Sequence, residues 1–369
     1  MARDDCDNRS ILEQIEGRAA AADQQEGNVS CDIEDLRREG WLTACLPGEL
    51  GGEGWGCEAN STIAAFDALR GLGRANLSVA RLFEGHMNAV KLVVLYGSGT
   101  ARERLGAAVL NGALLGVWGA DDRACPLSYG IETRSGQHRI KLSGAKIFAS
   151  GLGLVSKAIV TAGGEDGERL LLVPVDEEER GDPAAWNMGG MRATQSGRYD
   201  LTGLVLGSDA FIGNAGDYFV EPHFEGGIWR YCAAHLGAAE RLYDEMLGAL
   251  TASDRAQDPH QQKRITDAAI AIETARLWLV RAAREIEACD ADAYKAALAL
   301  LAREVTHDAC RKVITLSEAA LGMAAHIAGS PVERIRRDLG LFLCQAAPDA
   351  KRARAAQVLV ARKIRPEHL

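Results

Sequence analysis

Gly144-Ala145-Lys146-Ile147-Phe148-Ala149-Ser150-Gly151 is the stretch from which the fold is read. It lies inside a region where short apolar runs alternate with turn residues. The runs fall at 115–118, 138–142, 158–161, 170–175, 199–201 and 204–206. Their length and β-branched content predict strands of an antiparallel sheet or small barrel. Ser135-Gly136 and Asp166-Gly167 supply turn signals between them.

On either side the texture turns helical. Residues 10–39 are polar with helical spacing. Residues 41–56 carry five glycines and Pro47, which predicts a loop. Helices are expected over 58–73, ending at Gly71 and Gly73, and over 85–97. Beyond about residue 222 three long periodic segments follow, at 227–251, 260–288 and 291–321. In the second, Ile265, Ala269, Ile272, Ala275, Leu279 and Ala282 recur at helical spacing, and Asp258-Pro259 opens it. Long helices with short connections predict an antiparallel bundle. The expected organisation is an α+β multidomain chain: an N-terminal helical domain over 1–112, a middle antiparallel β-domain over 113–221, and a C-terminal four-helix bundle over 222–369.

Bulk composition narrows the function classes. Of 369 residues 47% are hydrophobic and 25% charged, enough to bury a full core. A net charge of −9 gives no overall attraction to nucleic acid or anionic lipid. No apolar run is long enough for a membrane span. Residues 1–9 carry mixed charge without an apolar stretch, so a cytoplasmic protein without a secretory leader is expected. The nine cysteines show no C-x-x-C spacing and predict free thiols in a reducing compartment. The eight histidines are not clustered with metal-ligand spacing, so no zinc site is expected. Walker, H-E-x-x-H and G-x-S-x-G motifs are absent, and the glycines at 51–56 predict a tight turn rather than a phosphate cradle.

Four segments in order carry more. They are residues 46–54 (LPGELGGEG), residues 144–151, residues 190–196 (GMRATQS) and residues 331–338 (PVERIRRD). Together they resemble signatures of the acyl-CoA dehydrogenase superfamily, over about residues 30–363. The resemblance implies FAD, with FMN as the alternative, held between the β-domain and the bundle of a homodimer or homotetramer. It places Phe148, Ala149 and Ser150 on a strand end against the flavin: an aromatic ring covers one face, and a hydroxyl and backbone N–H groups bond the ring edge. Trp118 and Gly119 match the second strand that approaches the flavin, although the usual Thr-Glu-Pro is here Gly119-Ala120-Asp121. Arg192 and the Arg337–Asp338 pair are expected as structural ion pairs.

The departures concern the chemistry. Dehydrogenation of an acyl thioester needs a carboxylate to remove the α-proton. The family's usual position, eight residues after Asp338, is Ala346. The alternative position on the first long bundle helix aligns with Gly227. Glu225, two residues away, is the substitute candidate base, although a shift of two residues turns a helical side chain well off direction. His86 is the other catalytic candidate, because an imidazole titrates near neutral pH; Glu84 and His223 lie in the same regions. The family's ADP-binding segment keeps only Gly322, and Arg255 is the candidate for a pyrophosphate contact with a neighbouring subunit. The Asp258-Pro259 opening resembles the flavin-dependent monooxygenases of the dibenzothiophene monooxygenase type, many of which carry a histidine where this chain has Gln345. Three functions therefore stand. The first is a flavin oxidoreductase acting on the CH–CH group of an acyl thioester with a non-standard base, passing electrons to a partner. The second is a monooxygenase using oxygen and reduced flavin from a flavin reductase. The third is a catalytically silent homologue that binds an acyl group or partner chain.

Overall fold

The computed structural model describes residues 10–25, 27–134, 137–345 and 347–365. The chain opens with helices α1 (Ile11–Ala22), α2 (Ser30–Arg38), α3 (Trp41–Ala44), α4 (Thr62–Ala75), α5 (Leu77–Tyr96) and α6 (Gly99–Leu110). Ser10 and Glu13 form a reciprocal capping box at α1, and Asn76 caps α5 by accepting from the Ser78 amide. That cap moves the start of α5 eight residues ahead of the predicted 85.

The glycines expected to end α4 do not end it. The helix runs through Gly71 and Gly73 to Ala75. A Cβ at Gly73 would stand 2.1 Å from the Ala234 carbonyl, and one at Gly237 would stand 1.9 Å from the Arg70 carbonyl. The two glycines let the backbones of this helix and the one bearing Gly237 touch, so they are packing residues rather than caps.

Ten strands follow among the described residues: β1 (Leu115–Trp118), β2 (Ser128–Arg134), β3 (Gln137–Ser143), β4 (Ala145–Ala149), β5 (Lys157–Gly164), β6 (Gly167–Pro174), β7 (Gly181–Asp182), β8 (Gly197–Asp200), β9 (Val205–Gly207) and β10 (Phe211–Ile212). One sheet runs β10-β6-β5-β2-β3-β9 with β1 also on β5, and a second runs β4-β8-β7. The pairings are antiparallel except that β1 lies parallel to β5 and β2 meets it at one parallel bridge. The Asp166-Gly167 signal marks the β5–β6 hairpin, with Gly167 at φ 114°. The Ser135-Gly136 signal lies outside the described residues. The apolar runs covered none of β2, β4, β7 and β10, of which the family resemblance supplied only the end of β4. Ser128–Arg134 reads SYGIETR, too polar for an apolar run, and β4 begins directly after the Gly144 turn.

The C-terminal part holds α7 (His223–Gly226), α8 (Trp229–Ala252), α9 (Pro259–Glu287), α10 (Ala296–Leu321), α11 (Pro331–Phe342) and α12 (Pro348–Arg362). Asp258 accepts from the His260 and Gln261 amides and Pro259 takes the first helical position, as its fixed φ favours. α8 is buried almost all round over its first half, with Trp229 fully enclosed, because α4, α9, α10 and α11 all pack on it. The helix–sheet–helix expectation thus holds as architecture. No described helix is long and apolar enough to cross a membrane. The described cysteines are free thiols; Cys6 lies outside the described residues.

Candidate active site

A cavity of about 730 Å³ opens between the strand ends and the helices. This is within the range of pockets that hold a drug-sized ligand, roughly 300–1,000 Å³. One wall comes from β1 and β4. Trp118 donates its indole N–H to the Ser150 carbonyl at 3.0 Å, which ties the ends of the two strands together, and its ring lies tilted against Tyr199 at 5.3 Å. Gly119 is held from behind: Lys146, fully buried, donates to its carbonyl at 3.3 Å and pairs with Asp121 at 2.6 Å. Phe148 projects into the cavity with 48% of its surface exposed, edge-on to Trp186 at 6.0 Å. Beneath it the hydroxyls of Thr194, Ser196 and Ser150 form a chain, with contacts of 2.7 and 2.9 Å.

This wall is strained. Phe148 (φ 56°), Met191 (φ 54°) and Ala347 (φ 51°) all sit in the left-handed region and all line the cavity. Gln195 (φ 48°) lies between the lining residues Thr194 and Ser196. Non-glycine residues held at positive φ cost about 1–3 kcal/mol each and concentrate at ligand sites.

The opposite wall is helical. α5 presents Arg81, Glu84, Asn88 and Lys91, while α7 and α8 present His223, Phe224, Arg230 and Tyr231. Both Glu84 oxygens are engaged: Arg81 donates to Oε2 at 2.6 Å and the Asn88 amide to Oε1. His223 leaves Nδ1 without a partner, and its pKa is lowered, first by burial and then by the charges of Lys91 and Arg230. Tyr218 stays protonated, pushed up to about 12 by burial. Glu287, fully buried behind this wall, accepts from Lys91, Arg230 and Trp229. Burial pushes its carboxyl up, but Arg230 and Lys91 outweigh it and hold the group below the usual carboxylate value.

The predicted site residues divide. Trp118, Gly119, Phe148 and Ser150 line the cavity together; Ala149 is fully buried and does not. His86 is a correction. It is fully buried, its Nε2 meets the Leu42 carbonyl at 3.0 Å and its Nδ1 accepts from the Leu115 amide at 3.1 Å. Burial lowers its pKa to about 4. It is a neutral brace between α3, α5 and β1, with no nitrogen left for catalysis. Glu225 is a second correction. It does not line the cavity, and its carboxylate is paired with the lining residue Lys351, 2.6 Å away. Arg255 is exposed and donates to the Ala320 carbonyl at 3.0 Å, capping α10 rather than reaching the cavity. Ala346 lies outside the described residues; its neighbours Gln345 and Ala347 line the cavity. Arg192 pairs with Asp23 at 2.8 Å, and Arg337 joins Asp23 and Asp338, so the structural reading of these residues holds.

Lys91, Arg230, Lys351 and Glu287 escaped sequence reasoning, because single charges scattered over four helices form no motif. Glu287 carried one signal. A glutamate ending a helix opposes the helix dipole and needs a cationic partner.

Residues 215–342 match the acyl-CoA dehydrogenase C-terminal domain family. Dibenzothiophene monooxygenase from Rhodococcus erythropolis is 25% identical over 233 residues, 57% of this chain and 53% of the relative. The chain spans about half the length of the curated relatives it matches. TdsC from Paenibacillus sp. A11-2, in complex with FMN and indole, superposes with a TM-score of 0.82 at 18% identity over 97% of each chain. FkbI, of methoxymalonyl extender-unit biosynthesis, superposes with a TM-score of 0.81 at 17% identity, over 95% of this chain and 98% of FkbI.

Proposed function

We propose that this chain, which has the acyl-CoA dehydrogenase fold and that family's C-terminal domain, is a flavin-dependent monooxygenase that works with FMN reduced by a separate flavin reductase. One observation carries the choice over dehydrogenation: the cavity offers no free carboxylate. Among the described lining residues Glu84 is the single acid, and its two oxygens are occupied by Arg81 and Asn88. The two positions where the family keeps its base are Ala346 and Gly227. The cavity therefore lines up no free carboxylate to take the α-proton that dehydrogenation removes.

The residues present fit a flavin. Phe148 offers an exposed aromatic face, and Ser150 with Ser196 and Thr194 offers hydroxyls for the polar ring edge. FMN is favoured over FAD because the family's ADP-binding segment keeps only Gly322 in this chain. When bound and reduced, the flavin supplies two electrons to dioxygen, so that one oxygen atom passes to substrate and the other leaves as water. The chain's own groups bind and orient. Tyr218 and Phe224, 5.0 Å apart, make an aromatic side to the cavity. His223 Nδ1 is free to take up or release a proton. Trp118 and Trp186 line the strand side. Exposed Ile270 and Leu277, two turns apart on α9, fit the homo-oligomer that the superfamily resemblance implies.

The test compares two reactions of the full chain. With FMN, NADH, a flavin reductase and indole as trial arene, oxygen from labelled dioxygen is expected in the product. With flavin bound and oxygen excluded, butyryl-CoA is expected to leave the flavin oxidised. Bleaching by the thioester would overturn the reading and restore dehydrogenation.

A further inference from the structure

On the helical wall two cations share one carboxylate. Glu287 accepts from Lys91 Nζ at 2.8 Å and from Arg230 Nη2 at 2.6 Å. Arg230 also donates to the Gly56 carbonyl at 2.9 Å, yet its Nε has no partner although the residue is only 3% exposed. Lys91 is 8% exposed. Both cations line the cavity and Glu287 does not. The other charged lining residues are balanced pairs, Arg81 with Glu84 and Lys351 with Glu225. Lys91 and Arg230 therefore present one unmatched positive charge to the cavity. A charge withdrawn from water without a counter-charge is strongly disfavoured, and a planar guanidinium with a free N–H matches a carboxylate better than any other anion-binding side chain. The His223 pKa, lowered first by burial, is lowered further by Lys91 and Arg230 against the opposing Glu287.

We propose that Arg230 and Lys91 receive the anionic end of the substrate, so that the flavin reaction acts on an aromatic carboxylate in preference to a neutral arene. The aromatic part lies against Tyr218 and Phe224 and the carboxylate against the Lys91 and Arg230 cations. The inference rests on the monooxygenase reading for its reaction, but its binding claim is separable from it.

The full chain is titrated by calorimetry near neutral pH, with and without FMN, using indole and indole-3-carboxylate. The two share one ring system and differ in charge. A single hydrogen-bonded charge contact corresponds to a preference of about tenfold to a hundredfold for the carboxylate. Arg230→Met leaves Lys91 and Glu287 as a neutral pair, so the preference is expected to fall to near parity while indole binds as before. Arg230→Lys keeps the excess charge and retains part of the preference. Equal binding of the two compounds by the unaltered chain overturns the proposal, as does a preference that survives Arg230→Met in full. A parallel fluorescence titration with FMN and riboflavin separates the flavin's own phosphate from substrate. Loss of FMN binding but not riboflavin binding in Arg230→Met would assign the cations to the phosphate and overturn the proposal. A carboxylate preference in a chain that binds no flavin supports the anion site and sinks the monooxygenase reading instead.

Discussion

Replacing Phe148 by glycine and by alanine separates backbone strain from flavin contact. Phe148 holds φ 56° with its ring 48% exposed and edge-on to Trp186. Half-burial of the ring contributes about 1 kcal/mol, and the aromatic pair adds roughly another 1 kcal/mol. Phe148→Ala loses both and keeps the strain, a cost of about 2 kcal/mol. Phe148→Gly loses the same contacts, adds about 0.5–1 kcal/mol of chain entropy, and releases about 1–3 kcal/mol of strain. The glycine variant is therefore expected to be the more stable of the two by roughly 1 kcal/mol. Denaturation midpoints in urea followed by tryptophan fluorescence give the comparison. FMN affinity moves differently: both variants lose the aromatic face, so each is expected to weaken FMN by about threefold to tenfold in a fluorescence titration. An alanine variant more stable than the glycine variant would refute the strain argument. Unchanged FMN affinity in both would refute the placement of the ring.

Glu287→Ala leaves Lys91 and Arg230 buried without their carboxylate, and is expected to cost roughly 3–5 kcal/mol in denaturant titration, well above the cost of Arg230→Met. His86→Ala strands the Leu42 carbonyl and the Leu115 amide, a loss of about 1–3 kcal/mol for each; turnover per folded molecule should be unchanged, and a lower kcat at undiminished stability would return His86 to the chemistry. Burial, ahead of the opposing Met191 amide and Arg337, raises the Asp338 carboxyl from 3.8 to about 6. The fold thus favours its protonated form, so its contribution is complete below about pH 4 and is lost as pH rises through about 6. Asp338→Asn is expected to remove that slope from a plot of denaturation midpoint against pH, and a slope that persists would assign it to another group.

Much of the architecture was legible because it follows from periodicity and turn chemistry. The three long bundle helices and the strands at 115–118 and 158–161 carry their own patterns, and Asp258-Pro259 marks a helix start by local physics alone. Gly71 and Gly73 misled because a glycine serves a cap and a close approach equally well: Gly71 faces the Leu12 side chain, and Gly73 meets α8 at Ala234, more than 160 residues away in sequence. The strand wall of the site was readable through Trp118 and Phe148, which belong to recognisable segments. The helical wall was not. Glu225 and Lys351, or Lys91 and Glu287, become partners only when distant helices pack, and the direction of the Glu225 side chain is set by Lys351 on α12. His86 looked catalytic because a sequence shows that an imidazole is present but not that backbone groups of α3 and β1 occupy both nitrogens.

The account turns on a flavin lying in the cavity between the strand ends and α5, α7 and α8. A crystal structure of the full chain grown with FMN tests this directly. The isoalloxazine is expected against Phe148, with its polar edge toward Ser150 and with Arg255 still bound to the Ala320 carbonyl. FMN found outside this cavity, or crystals from saturating FMN with no flavin on the Phe148 wall, would contradict it.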